Sequence, residues 1–236
     1  MVRQVKGKYL KRGLRLVFHL PGMWKTNLLL FAFSVLSNSF ANGLVQGTAG
    51  RPMGGRPVVF SAGLFNTMPS FLYNTVLKEL RKNATIIVAP APLTRRSFED
   101  LCDEFQQDKL PLLAHSSLDF SVLDSHRLER AMLIDPSAVP AVGVNGLVPV
   151  VVSPRAPTSV ILSKLYAKFV KSSFQPKIEE ASVIQYESGG HSDLLDGFWA
   201  AVAGRVGIPS DPTSRNEFRA FVTAECEKWI HDGIGT

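Results

Sequence analysis

Short apolar runs alternate with amphipathic stretches over most of the chain. Residues 57–61, 84–89, 112–114, 131–135, 148–153 and 183–186 are brief apolar runs closed by Gly, Pro or polar side chains, the pattern of buried strands. Between them, apolar positions recur at helical spacing. Leu72, Val76, Leu77 and Leu80 mark a helix over 69–81, with Pro69 in its first turn. Ser97 reads as the N-cap of a helix to about residue 107, with acids in its first turn. Ile161, Leu162, Leu165 and Phe169 predict a helix over 159–170; two more close the chain over 194–206 and 216–231. Strand and helix signals in alternation predict an α/β fold, a mostly parallel sheet with helices on both faces. No internal repeat interrupts it.

Polar residues stand where three of these runs stop. The run 112–114 ends at His115-Ser116-Ser117, and Leu118, Val122 and Leu123 then suit the start of a short helix. A serine on a strand-to-helix turn stands clear of the sheet, as in a nucleophile elbow. The Gly-x-Ser-x-Gly frame of that elbow reads Ala114-His115-Ser116-Ser117-Leu118. Ala114 is a mild departure and Leu118 a larger one, because the second glycine lets strand and helix pack closely. The run 131–135 ends on Asp135, and Pro136 stops its ladder. The run 183–186 leads through Gly189-Gly190 to His191. Ser116, Asp135 and His191 therefore follow the Ser…Asp…His order of α/β-hydrolases, and a parallel sheet would bring all three to its carboxyl edge. Each alone suits an ordinary turn; their order and context point to a triad.

Charge divides the chain in two. The net charge is +6 and the pI about 9.4, which suggests a nucleic-acid partner until the charges are placed. Nine of the 26 Lys and Arg lie in residues 1–56, and the first acid is Glu79. From Pro57 onward 17 basic residues face 20 acidic ones, a net of −3, so no basic face for a phosphate backbone is expected. Residues 1–56 read as a targeting leader and 57–236 as one domain. The leader carries an apolar run over 28–36, short for a bilayer span but suited to a signal-peptide core, followed by the small-residue stretch Ser39-Phe40-Ala41. Signal-like and then acid-poor, it resembles the bipartite plastid-targeting leaders of algae with secondary plastids, with Ser37-Asn38-Ser39-Phe40 at the junction. Plastid import, secretion or an endomembrane location, and a membrane-anchoring helix stay open. Cys102 and Cys226 are too few for a disulfide framework and suit buried hydrophobes on helices.

The residues then point to a family. Pro57-Val-Val-Phe-Ser-Ala-Gly-Leu-Phe-Asn66 and Ile86-Ile-Val-Ala-Pro90 resemble the opening of chlorophyllase-like α/β-hydrolases, a strand, a His-Gly-Phe-type loop, a helix and a Val-Val-Ala-Pro strand end. His115-Ser116, Leu133-Ile-Asp135-Pro136 and Gly190-His191-Ser-Asp-Leu-Leu195 resemble that family's Gly-His-Ser, Ile-Asp-Pro and Gly-His-Met-Asp-Met-Leu motifs. Ala62 replaces the loop histidine, and Leu118 and Asp119 replace the glycines after the nucleophile.

The resemblance implies a serine carboxylic-ester hydrolase that needs no cofactor and no metal. Ser116 would be the nucleophile, His191 its base and Asp135 the group that orients the imidazole, with the backbone N–H groups of Leu64 and Ser117 as the oxyanion hole. The implied substrate is a small hydrophobic ester, chlorophyll or lipid-like. In chlorophyllases the phytyl ester is cleaved to chlorophyllide and phytol, and residues 139–147 and 65–72 would line the apolar groove for its chain. Peripheral membrane association is compatible with such a substrate. A lipase or thioesterase of the same fold remains open, as does a non-catalytic pigment- or lipid-binding protein, which Leu118 favours. His115 is expected to support the elbow by packing, His19 and His231 to be solvated, and His126 to lack a partner. Ser188 and Asp193 are expected to cap or orient the histidine turn.

Overall fold

A computed structural model of the chain describes residues 55–232 apart from Thr67, Asn145 and Val206. The leader expected over 1–56 lies outside these residues but for Gly55 and Arg56, and Arg56 already belongs to the first strand. In chain order come β1 (Arg56–Ser61), α1 (Gly63–Asn66), a 3-10 turn (Ser70–Tyr73), α2 (Asn74–Leu80), β2 (Ala84–Val88), α3 (Arg95–Glu104) and β3 (Leu110–Ser117). A 3-10 turn (Phe120–Asp124) leads to β4 (Leu128–Ser137), the hairpin β5 (Ala141–Gly143) and β6 (Gly146–Val148), β7 (Val151–Val152) and β8 (Thr158–Leu162). α4 (Tyr166–Phe169), β9 (Lys177–Ile178), β10 (Ser182–Gln185), a 3-10 turn (His191–Leu194), α5 (Gly197–Arg205) and α6 (Arg215–Asp232) follow.

Six strands form one sheet in the order β10-β8-β4-β3-β1-β2, and every neighbouring pair is parallel. A sheet buried on both faces needs apolar residues at odd and even positions alike. The sequence of β4 supplies them: Ala131 and Leu133 face one core, Met132 and Ile134 the other. β1 divides likewise, Val58 and Phe60 to one side and Val59 to the other. The first core is closed by α2, α5 and α6 through Val76, Leu80, Ala200, Phe218, Val222 and Trp229. The second is closed by α3 through Phe98 and Leu101, with Val122 and Leu123 of the 3-10 turn. Cys226 lies in the first core and Cys102 in the second; both are free thiols. Helices on both faces of a parallel sheet, with the serine-bearing strand beside its centre, make this an α/β-hydrolase fold.

Several elements differ from the sequence expectation. The helix expected over 159–170 is β8 followed by the single turn α4, and β8 sits between β4 and β10. Thr158, Val160 and Ile161 are β-branched and suit an interior strand. The strand expected over 148–153 does not join the main sheet; Val151 and Val152 pair only with β9, and Pro149 has no N–H for a longer ladder. The segment 139–147, expected to line an apolar groove, instead forms most of the β5–β6 hairpin, whose Val142 is 86% exposed. The helix expected after the elbow is a five-residue 3-10 turn, because Asp119 caps Ser121 N–H (3.0 Å) and Val122 and Leu123 are adjacent rather than spaced by a turn. The N-cap of α3 is Thr94, which accepts from Ser97 N–H (3.2 Å), while Ser97 accepts in return from Thr94 N–H (2.8 Å).

Candidate active site

Five strands deliver residues to the carboxyl edge of the sheet, where ligands bind in open α/β sheets. β1 runs into Gly63, β3 carries Ser116, β4 carries Asp135, β8 leads into Ser163, and β10 leads through 186–190 to His191. Between β3 and β4 the register slips: His115 pairs with Ile134, but Ser117 pairs with Ser137. Asp135 and Pro136 thus oppose Ser116 alone, as in a β-bulge, which re-aims side chains. Ser116 (φ 64°) and Asp135 (φ 46°) both adopt the left-handed region, which costs a non-glycine residue roughly 1–3 kcal/mol. The two strained residues, one hydroxyl and one carboxylate, thus lie on adjacent strands at this register slip.

The three predicted residues come together. His191 Nε2 lies 2.9 Å from Ser116 Oγ. His191 Nδ1 lies 3.4 Å from Asp135 Oδ2, but the approach is poorly aligned and Nδ1 has no hydrogen-bond partner among the described residues. Asp135 is fully buried, and its carboxylate is held from the other side by Ser163. The Ser163 N–H donates to Oδ1 and the Ser163 hydroxyl to Oδ2, each at 2.7 Å. The oxygen that faces the imidazole is therefore shared with a serine. Sequence reading missed Ser163 because it placed that residue inside a helix; the signal available was a serine directly after the apolar run Val160-Ile161-Leu162. In the tautomer that lets Ser116 donate to Nε2, the imidazole proton sits on Nδ1, the nitrogen nearer the carboxylate.

His191 is clamped between rings. Phe169 of α4 stacks on it at 4.0 Å and His115 at 4.6 Å between centroids. His115 does more than the packing expected of it. One of its nitrogens, Nε2, contacts the His191 carbonyl oxygen (3.1 Å), which can only accept, so Nε2 carries the proton. Nδ1 then accepts from the Tyr73 hydroxyl (2.8 Å), whose oxygen accepts Gly63 N–H (3.0 Å). One buried chain of hydrogen bonds thus ties the β1 loop, the elbow and the histidine turn together. Burial first, and then the charge of His191, push the His115 pKa down to about 3, so this ring stays neutral. Burial likewise raises the Tyr73 phenol, which keeps its proton to donate.

The loops are fixed by side chains that the sequence only partly revealed. Asn66 (φ 62°) folds α1 back: its Oδ1 accepts Ala62 N–H (2.7 Å) and its Nδ2 donates to the carbonyls of Ala89 (2.6 Å) and Pro90 (2.7 Å). A Cβ added to Gly63 would lie 3.4 Å from Ser116 Cβ and 3.1 Å from the Tyr73 oxygen, so the loop backbone passes close over the serine. Leu64 is the next residue in α1, and Ser117 directly follows Ser116. The Ser117 hydroxyl bonds that of Ser137 (2.8 Å). Leu118 is buried in the second core, filling the space that a glycine would leave. Gly189 has φ 80°, and a Cβ there would fall 2.4 Å from the Phe218 ring. Asp193 caps the histidine turn as expected, accepting the N–H groups of Gly190 and Asp211 (2.7 Å each) beside Arg215 (3.2 Å). Ser188 Oγ is buried and finds no partner among the described residues.

Elsewhere the histidines are peripheral. His126 has a partner after all, Glu99 at 3.7 Å, and His231 is exposed; His19 lies outside the described residues. An open depression along α3 holds Arg95, paired with Glu99 and Asp124, Arg127, paired with Asp103, and Arg96. Among the described residues no cluster of three His, Cys, Asp or Glu side chains is placed to hold a metal ion.

No protein-family model matches the chain, and no curated protein matches it in sequence. Among solved structures it is similar to an α/β-hydrolase-fold protein from Burkholderia ambifaria, at 13% identity and a TM-score of 0.42, over 64% of this chain and 90% of that one. The chain's own sheet order and strand-end geometry give the α/β-hydrolase fold.

Proposed function

We propose that the chain is a serine carboxylic-ester hydrolase in which Ser116 is the nucleophile, His191 the general base and Asp135 the orienting carboxylate. The observation that carries the reading is the 2.9 Å contact between Ser116 Oγ and His191 Nε2 at the carboxyl edge of a parallel sheet. A serine hydroxyl is a poor nucleophile until a base takes its proton, and Nε2 is within reach to do so. As Ser116 Oγ attacks the ester carbonyl, the proton moves to Nε2 and the imidazolium is stabilised by Asp135. His191 then returns the proton to the leaving alcohol, and water hydrolyses the acyl-enzyme by the reverse sequence. The 3.4 Å gap between Nδ1 and Oδ2 is of the kind that tightens in a substrate complex. Oxyanion donors fall to the N–H groups of Leu64 and Ser117, and one such donor is worth about 3–4 kcal/mol.

The finer reading, chlorophyllase-like cleavage of a phytyl ester, rests on the motif resemblance around Ser116, Asp135 and His191. A leader for plastid import or secretion belongs to the same proposal. A non-catalytic binder of pigment or lipid is the second reading, favoured by the shared Asp135 oxygen and the unbonded Nδ1 of His191. Hydrolysis of a short p-nitrophenyl ester separates the two. Ser116→Ala, Asp135→Asn and His191→Ala should each remove most turnover, non-additively, since the groups act as a unit. Parent protein that is folded yet inert on short esters, phytyl esters and thioesters would favour the binder, and chromatography of chlorophyllide from chlorophyll tests the substrate itself.

A further inference from the structure

Residues 137–154 carry no charged side chain, and most of their apolar ones are not buried. In the β5–β6 hairpin Val142 is 86% exposed and the turn residue Val144 fully so; Leu147 and Val148 are about half-exposed, as are Val139 before the hairpin and Val151 after it. Contiguous exposed apolar surface of this kind marks a contact site. A second, independent feature adjoins it. Between Asp135 and Glu179 the chain has no acidic residue, while Lys164, Lys168, Lys171 and Lys177 are all exposed; Glu179, bonded to Val152 and Ser153, and Glu180 end this basic stretch. The lysine-bearing segment is tied to the hairpin's base at three points. Tyr166 donates its hydroxyl to the Pro136 carbonyl, Ala138 N–H donates to the Phe174 carbonyl (3.0 Å), and β9 pairs with β7.

We infer that this hairpin, with its lysine rim, seats on an anionic lipid surface. An apolar tip that enters the acyl boundary, bordered by cations that meet anionic headgroups, combines the two attractions that hold peripheral proteins on membranes. A hairpin suits the task because its cross-strand backbone hydrogen bonds are already made. Lysine is depleted in protein–protein interfaces, so this rim fits a lipid surface better than a protein partner. Among the described residues no helix is long and apolar enough to cross a membrane. The hairpin follows directly from β4, which carries Asp135, and α4 carries both Lys168 and the Phe169 ring that covers His191.

The full chain carrying Val144→Cys, labelled with an environment-sensitive fluorophore, reads the contact directly, since both native cysteines are buried. Vesicles of equal parts phosphatidylglycerol and phosphatidylcholine should shift its emission to the blue, and pure phosphatidylcholine vesicles should do so far less. Lys168→Glu with Lys171→Glu should weaken the partition about twenty-fivefold or more, at about fivefold per lysine. The same label at Val142→Cys guards against a misfolded first variant. A label that stays in water while the protein sediments with anionic vesicles would overturn the inference, because another segment then holds the lipid. An emission shift that grows with protein concentration and needs no lipid would overturn it in favour of a second copy.

Discussion

Replacing His115 with Gln removes a buried titratable ring while leaving a side chain that can still donate and accept. In the folded protein this imidazole is neutral, its pKa pushed down to about 3 mainly by burial. In the unfolded chain it titrates near ~6.5. As pH falls through that value the unfolded chain takes a proton that the native state refuses until about pH 3. Stability is thus lost between the two values, at about 1.4 kcal/mol per pH unit. By about pH 5 the loss is roughly 2 kcal/mol, and the whole shift is worth about 5 kcal/mol. His115→Gln should cost about 1–3 kcal/mol at neutral pH, because the Tyr73 hydroxyl and the His191 carbonyl keep poorer partners. Its stability should nevertheless fall less than the parent's as pH drops from about 7.5 to about 5. Urea unfolding at both pH values gives the four free energies needed. Parallel losses in parent and variant would refute a neutral His115 and with it the assigned direction of the hydrogen-bond chain.

Substitutions at three further positions probe the supports of the site. Ser163→Ala should lower kcat about tenfold or more with little change in KM, while Ser163→Thr keeps the hydroxyl on Asp135 and should restore most of it; equal activity in parent and Ala variant would deny Ser163 a positioning role. Gly189→Ala sets a methyl against Phe218 at a positive φ and should cost about 2 kcal/mol or more in a denaturant melt, an unchanged midpoint being the contrary result. Ser117→Ala should keep substantial esterase activity, since its hydroxyl bonds that of Ser137, whereas a dead variant would shift the elbow by one residue.

The strands that bear Ser116 and Asp135 were legible because their apolar runs stop on residues that cannot continue a buried ladder. Pro136 and the polar His115-Ser116-Ser117 gave the ends, and Gly189-Gly190 gave the turn before His191. β8 was not legible, because Ile161, Leu162, Leu165 and Phe169 fit a helical stripe as well as a strand followed by one turn. Only its place between two other strands, buried on both faces, settles which period applies. That misplacement concealed Ser163, whose two bonds to Asp135 come from the first position past β8. Tyr73 was hidden differently: a residue at the start of an expected helix gives no sign that its hydroxyl joins Gly63 of α1 and His115 of β3, 10 and 42 residues away. Leu118 looked like an obstacle to the elbow because close packing was assumed behind it. A short 3-10 turn in place of a full helix leaves the room that its side chain fills.

The central claim is that Ser116 is activated by His191, and covalent labelling tests it most directly. A fluorophosphonate probe added to the full chain should raise its intact mass by one adduct, mapped to Ser116 by peptide sequencing. Ser116→Ala should take up none, and His191→Ala should label at least about a hundredfold more slowly, because the base is gone. Folded parent protein that never labels, or that labels at another serine with Ser116→Ala unaffected, would contradict the claim.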